Sequence, residues 1–272
     1  NFRNFIIEMS KEKIKNHLAI IYFSIFGKTF GRGYERYKVS LIKHIISNKK
    51  INIKKNKYFD ERIIEIPWIV KELKKCRGNL LDVGSTLNFN YILNSISNIK
   101  KIFFNTLYPE KVNFNSKSVN YIYEDICENS LREKIFDNIT CISTLEHIGF
   151  DNSHYNYNKK IKKKNKMKKF KYLIALKNIK KLLKKKGNFF MTIPFGNKKA
   201  YKNLQQFNSL DLKRMFNIFK EYKKKVIFYR FADGKWSLSN EFECKNIEPL
   251  VKKDDNEFVL SAKSIVLVKF YN

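Results

Sequence analysis

Glycine, proline and alanine are scarce in this chain: its 272 residues hold 9 Gly, 4 Pro and five Ala. So little glycine and proline excludes a collagen-like or Gly/Pro-rich low-complexity chain. Cysteine is scarce too. Its four copies (Cys76, Cys127, Cys141, Cys244) are scattered and form no CxxC pair, so neither a disulfide framework nor a metal site is expected, and the setting is read as a reducing cytoplasm. Long apolar runs are missing as well. The longest near the N-terminus, Leu18–Phe26, has nine residues and ends at Gly27, whereas a membrane span needs about 20. No small-residue cleavage site follows it, which argues against a signal peptide.

Charge of one sign is plentiful. Lys and Arg number 56 against 25 Asp and Glu, a formal net charge of +31. Only eight of the 56 are Arg, although Arg is the residue whose planar fork reads phosphate and guanine. Lys, Asn and Ile have AT-rich codons, while Arg, Gly, Pro and Ala have GC-rich ones, so genome composition accounts for much of the lysine. Net charge speaks to non-specific association rather than to role. A hydrophobic content of 43% with 15% aromatics supports a sizeable folded core.

Residues 1–57 read as a helical, basic extension. Apolar residues Ile6, Ile7, Ile14, Leu18, Ile21, Tyr22 and Ile25 recur at roughly helical spacing, and the solvated run Lys49–Lys57 closes the segment. It reads as a helical cap, or alternatively as a basic amphipathic surface for peripheral contact with a membrane or partner. Residues 58–272 read as one α/β domain. Short apolar runs predict strands at Asn79–Val83, Lys101–Thr106, Val119–Tyr123, Ile139–Ser143, Asn188–Ile193, Val226–Phe231 and Ser264–Phe270. The spacing predicts a helix over 170–186 stopped by Gly187, and another capped by Ser209 and running to Phe219. Strands alternating with helices imply a mainly parallel sheet with ligands at the strand C-termini.

Chemistry concentrates in four segments. Asp82-Val83-Gly84 ends a buried strand on a residue free to turn tightly, so backbone amides can approach a ligand closely. Tyr123-Glu124-Asp125-Ile126 places a carboxylate and an apolar residue where an adenine amino group and ring would fit. Phe136 to Gly149 runs a strand straight into the polar cluster Ser143-Thr144-Leu145-Glu146-His147. Leu182 to Gly196 supplies the next strand and the Pro194 turn.

In this order, LLDVGS, YEDI, FDNITCISTLEHIG and LLKKKGNFFMTIPFG resemble motifs I, III, IV and V of class I S-adenosylmethionine (SAM)-dependent methyltransferases. The likeness is strongest to the small-molecule and glycan-modifying subgroup with an STLEHIG segment after strand four. Glu61–Trp68, Gln206-Phe207-Asn208 and Gly234–Leu238 resemble further segments of that subgroup, and the likeness covers roughly residues 58–271. It implies a three-layer Rossmann-like sheet of about seven strands with the last antiparallel, and SAM as cofactor. Asp82, Gly84 and Ser85 would line the methionine side, Asp125 and Ile126 would bracket the adenine, and Ser143 would lie under the sulfonium. The family usually grips the ribose with an acid after strand two. This chain has Phe104-Asn105-Thr106-Leu107 there, with Asn105 in that place and Glu110 further on.

Methyl transfer to a hydroxyl of a glycan or other small metabolite would be in-line displacement, with the protein supplying alignment and desolvation. His147 is placed to act as general base or to anchor its loop structurally, and Glu146 to orient it or cap the next helix. Trp236 would wall the acceptor pocket or belong to the core, while His154 and Tyr155 share the loop of His147. Two other readings stand beside this one. An RNA methyltransferase would use the basic surface, although no Asn/Asp-Pro-Pro-aromatic segment or Pro-Cys nucleophile is present. A non-catalytic interaction module would keep the fold alone.

Overall fold

A computed structural model describes residues 38–47, 60–110, 113–114, 118–152, 168–201, 203–254 and 257–272. The chain divides into two units, Asn1–Ile51 and Asn52–Asn272. In the first, residues 38–46 form helix α1. Residues 1–37 of the expected helical extension, the Lys49–Lys57 run, and His154 and Tyr155 lie outside the described residues.

The second unit is built on an eight-stranded sheet of order β3-β2-β1-β4-β5-β12-β8-β9. Its strands are β1 Asn79–Val83, β2 Lys101–Thr106, β3 Val119–Tyr123, β4 Phe136–Ile142, β5 Leu183–Pro194, β8 Lys223–Ala232, β9 Lys235–Ser239 and β12 Ser264–Tyr271, while β6 (Lys199–Ala200) with β7 (Gln205–Gln206) and β10 (Leu250–Asp254) with β11 (Glu257–Ser261) form separate two-stranded sheets, and a short helix α3 (Asn90–Leu93) follows β1. Strands β1 to β5 run parallel, and β12 enters antiparallel between β5 and β8. This is the Rossmann-like α/β sheet with a reversed last strand that the motif order implies, with one strand more than the seven expected. The extra strand is β9, which folds back on β8 through Asp233-Gly234, both at positive φ (51° and 74°). That geometry is the two-residue hairpin turn whose twist matches its flanking strands. Trp236 therefore sits on an edge strand, edge-on to Phe231 at 5.6 Å.

The central strands are buried almost without alternation because helices cover both faces. Adjacent residues of β5 show it. Phe189 stacks on Phe219 and Phe270 on one side, whereas Phe190 meets Trp68 of helix α2 (Arg62–Leu73) on the other. Helix α4 (Lys171–Leu182) buries Tyr172, Ala175, Leu176, Ile179 and Leu182 at helical spacing, on the Phe189 side.

Two local expectations are corrected. Helix α4 ends at Leu182 rather than at Lys186, and β5 begins at once with Leu183, paired to Phe136. Leu183 is buried and gains more by joining the sheet than by a further helical turn. Gly187 therefore lies inside a strand, where a Cβ would fall 2.7 Å from Leu183 and 2.9 Å from the Asp137 carbonyl. It is a close-approach residue rather than a helix stop. Helix α5 (Ser209–Ile218) is capped by Asn208, not Ser209. The Asn208 side chain accepts from the Asp211 N–H while Asp211 accepts in return from the Asn208 N–H, a reciprocal capping box.

Candidate functional site

Two backbone corners lie side by side at the C-terminal edge of β1 and β4. Each ends in a serine at positive φ, Ser85 (58°) and Ser143 (42°). Non-glycine residues rarely adopt that conformation, and such residues collect at ligand sites. Between the corners, Gly84 has φ +94°, and a Cβ there would lie 2.1 Å from the Thr144 hydroxyl oxygen. Only glycine fits. Its N–H donates to the Asn105 carbonyl at 2.8 Å, joining the end of β2 to the same edge.

Asp82 holds the first corner from beneath. Its carboxyl is fully buried, accepting from the Leu87 N–H at 2.7 Å and from the Thr140 hydroxyl at 2.7 Å. Burial pushes its pKa up to about 7, against the lowering effect of those hydrogen bonds. Asp82 thus shapes the turn from inside the protein. The Ser85 hydroxyl is different: it is buried and no protein group pairs with it. A buried hydroxyl without a partner costs free energy that a ligand atom can recover.

The second corner is fastened by residues from α2 that sequence reasoning gave no site role. Glu65, with no exposed surface, accepts from the Ser143 hydroxyl at 2.5 Å and from the Thr192 hydroxyl at 2.5 Å. Its other oxygen pairs with Arg62 at 3.2 Å. Arg62 also reaches the Ile142 carbonyl at 3.4 Å, the same carbonyl that accepts from Thr86 at 2.9 Å. The guanidinium therefore stands over the join between the corners. One signal could have revealed the pair. Ile63, Ile66, Ile69, Val70 and Leu73 form the buried stripe of α2, and Glu65 interrupts it three residues after Arg62. A carboxylate on an apolar helix face must have a partner.

Two more carboxyls belong to the same segments, Glu61 next to Arg62 in the chain and Glu146 three residues after Ser143. Glu146, in the turn Leu145–His147, is 4% exposed, and its Oε2 has no hydrogen-bond partner; nor has the buried Oε2 of Glu61. Burial, reinforced by neighbouring glutamates, pushes Glu61 up to about 7 and Glu146 well above the usual carboxylate range. His147 sits at the end of that turn, its Nδ1 3.0 Å from the Asn203 carbonyl. That bond ties the post-β4 corner to the connection between the short strands β6 (Lys199–Ala200) and β7 (Gln205–Gln206).

The remaining sequence-derived residues lie further along the edge. Asn105 is buried, and its amide donates to the Glu124 carbonyl at 2.9 Å, stitching β2 to β3. Asp125 accepts from the Cys127 N–H at 2.9 Å and pairs with Lys171 at 2.6 Å. Although partial burial opposes it, these bonds and the lysine charge hold the Asp125 pKa below its ordinary value. Ile126 is buried beside it. A groove of about 640 Å³ runs along the start of α4, lined by Cys127, Phe170 and several lysines including Lys171, but by neither Asp125 nor Ile126 nor either corner serine. The structure thus gathers Gly84, Ser85, Ser143 and Glu146 at one place with Arg62 and Glu65, and leaves Asp125 and Ile126 at the end of β3. Among the described residues no cluster suited to a metal ion occurs, and no helix is long and apolar enough to cross a membrane.

No family model and no curated protein matches the chain. Solved structures align with the chain at low sequence identity. One is the 1,6-didemethyltoxoflavin-N1-methyltransferase of Burkholderia thailandensis with bound S-adenosylhomocysteine (10% identity, 95% of this chain and 90% of that one, TM-score 0.45). Others are a SAM-dependent methyltransferase of Archaeoglobus fulgidus (12%, 75% and 94%, TM-score 0.44) and the N-methyltransferase NodS of Bradyrhizobium japonicum (11%, 75% and 93%, TM-score 0.39). Identities this low leave the architecture resting on its strand order.

Proposed function

We propose that this chain is a SAM-dependent methyltransferase acting on a small molecule, with a hydroxyl of a glycan or other small metabolite as acceptor. One observation carries the reading. The Gly84-Ser85 turn and the Ser143 corner meet at the C-terminal edge of a doubly wound sheet, where such sheets bind ligands, and the turn offers a buried hydroxyl with no protein partner.

The residues at the corners suit the methionine end of the cofactor. Ser85 has a hydroxyl to give, and Gly84 exposes backbone that a side chain would otherwise cover. The ribose end differs from the family pattern, because the Asn105 amide is used on the β3 backbone. When bound, the cofactor supplies the activated methyl group, and the protein supplies alignment and exclusion of water. The chain's own residues would contribute two things. The Glu65 carboxylate locks Ser143 and Thr192, and with them the corner against which an acceptor would align. His147, held through Nδ1 at 3.0 Å from the Asn203 carbonyl, is the residue we assign as general base toward a hydroxyl.

Isothermal titration of the protein with SAM tests the reading. Saturable binding that S-adenosylhomocysteine competes away is expected, and its absence at millimolar SAM would overturn the proposal. Slow formation of S-adenosylhomocysteine with hydroxylated metabolites present would separate an enzyme from a binding module of the same fold.

A further inference from the structure

Helix α4 is apolar on more than the face it buries. Tyr172, Ala175, Leu176, Ile179 and Leu182 enter the core, yet Phe170 and Ile174 stay 53% and 49% exposed. With the half-buried Leu173 and with Lys177 they fall at i, i+3, i+4 and i+7, which is one stripe of a helix. The stripe lines the groove of about 640 Å³ together with Cys127 and Glu128. On this flank the β3–β4 connection contributes a single 3-10 turn, Ile126–Glu128, in place of a longer helix. That turn is fixed to α4 by the Asn178 amide, which donates to the Ile126 carbonyl at 3.0 Å.

Charge in the groove is one-sided. Lys168, Lys169, Lys171 and Lys177 line it against one carboxylate, Glu128. Lys171 is engaged by Asp125 at 2.6 Å, whereas Lys168, Lys169 and Lys177 have no ion pair among the described residues. In the sequence, residues 159–171 hold nine lysines in thirteen, and no Asp or Glu stands between Asp151 and Asp211. A lysine-rich composition accounts for the number of cations. It does not account for two large apolar side chains left in water among them. Single exposed apolar residues are ordinary, but neighbours on one stripe of a concave surface mark a contact site.

An apolar floor with a cationic rim is matched by apolar side chains and carboxylates carried on one narrow element. An amphipathic helix has that form, with anchors at the same i, i+3, i+4, i+7 spacing. A bilayer surface is too broad to enter a groove, and a nucleic-acid strand brings phosphates without aliphatic side chains. We propose that this groove docks an acidic amphipathic segment of a partner protein. Its apolar side chains pack on Phe170, Leu173 and Ile174, and its carboxylates meet Lys168, Lys169 and Lys177. The docking is independent of methyl transfer, since neither corner serine lines the groove.

Fluorescence anisotropy on the full chain tests it. The probe is a fluorescein-labelled peptide of leucine at i, i+3, i+4, i+7 spacing with glutamate elsewhere. Two analogues replace every glutamate by glutamine or every leucine by alanine. Saturable binding of the acidic peptide is expected, with both analogues at least about tenfold weaker. The double variant Lys168→Glu/Lys177→Glu should weaken the acidic peptide about tenfold or more, and Ile174→Ala about fivefold. Lys220→Glu/Lys235→Glu makes the same change in net charge at exposed sites outside the groove and should leave affinity unchanged. Absence of saturable binding at low ionic strength overturns the proposal. So does equal loss in the charge-matched control, which would mark binding as a net-charge effect. An Ile174→Ala variant of wild-type affinity would also overturn it. Labelled poly(U) RNA and vesicles of equimolar phosphatidylcholine and phosphatidylserine complete the comparison. If the groove variants weaken either of these more than the peptide, the site belongs to that other class and the proposal is wrong. Should the double variant fail to fold, Lys177→Glu alone, at an exposed helix position, carries the charge arm with Ile174→Ala.

Discussion

Replacing Glu65 with alanine removes one carboxylate and strands three donors. The hydroxyls of Ser143 and Thr192, 6% and 0% exposed, lose an acceptor at 2.5 Å, and Arg62 loses its ion pair. Breaking a buried charge pair by deleting one partner costs about 3–5 kcal/mol. The Arg62 side chain is 31% exposed, so water solvates part of it and the lower end applies, about 3 kcal/mol. For a domain of this size that lowers Tm by roughly 6–12 °C. Glu65→Gln keeps an acceptor for both hydroxyls but presents an uncharged amide to Arg62, and should cost about half as much. Urea unfolding followed by tryptophan fluorescence reads the effect close to its origin, because Trp68 lies one helical turn further along α2 against Phe190. The midpoint should fall with an unchanged slope. An alanine variant within about 1 kcal/mol of wild type would refute the view that Glu65 fastens the post-β4 corner, with typical buried-group penalties as the standard.

Three further outcomes are expected. Gly84→Ala forces a Cβ into the left-handed region and onto Thr144; it should destabilise by about 2–4 kcal/mol and abolish SAM binding, and adding Thr144→Ala should relieve the clash but not the backbone strain, as calorimetry and urea midpoints would show. The folded-state pKa of Asp82 is raised to about 7 from 3.8, so the folded chain holds a proton that the unfolded chain has released, and between pH 4 and 7 this group's contribution to stability falls as pH rises. Glu61 acts in the same sense from 4.5 to about 7; urea midpoints across that range should show a smaller downward trend in Asp82→Asn than in wild type, and an unchanged trend would contradict the assignment. His147→Asn can keep a donor to the Asn203 carbonyl but cannot act as base, so turnover should drop by roughly 10²–10⁴-fold with Tm and SAM affinity preserved, whereas retained turnover would leave His147 only as the anchor of the β6–β7 connection.

Much of the sheet was legible in the sequence because its strands read as short apolar runs between turn residues, the central ones buried on both faces. The bounds of β1, β2 and β3 follow directly from those runs. The start of β5 did not, because Leu182 and Leu183 suit a helix face and a strand equally, and only pairing with Phe136 decides between them. The Asp-Gly hairpin that adds β9 is a local signal, but the placing of β12 between β5 and β8 depends on contacts far apart in the chain.

The same division holds at the site. Gly84 could be identified from its position after an apolar strand, since a tight turn there requires a residue tolerant of positive φ. Sequence alone thus determined where the glycine turn lies and which polar cluster follows β4. What those side chains face is a tertiary matter. Asp82 turns inward to Leu87 and Thr140, Asn105 binds the β3 backbone, and Asp125 pairs with Lys171. Arg62 and Glu65 come from a helix 78 residues before Ser143 in the case of the Glu65 contact. A carboxylate's role is set by the donors brought within about 3 Å of it, and here only the packing of α2 against the sheet brings them there.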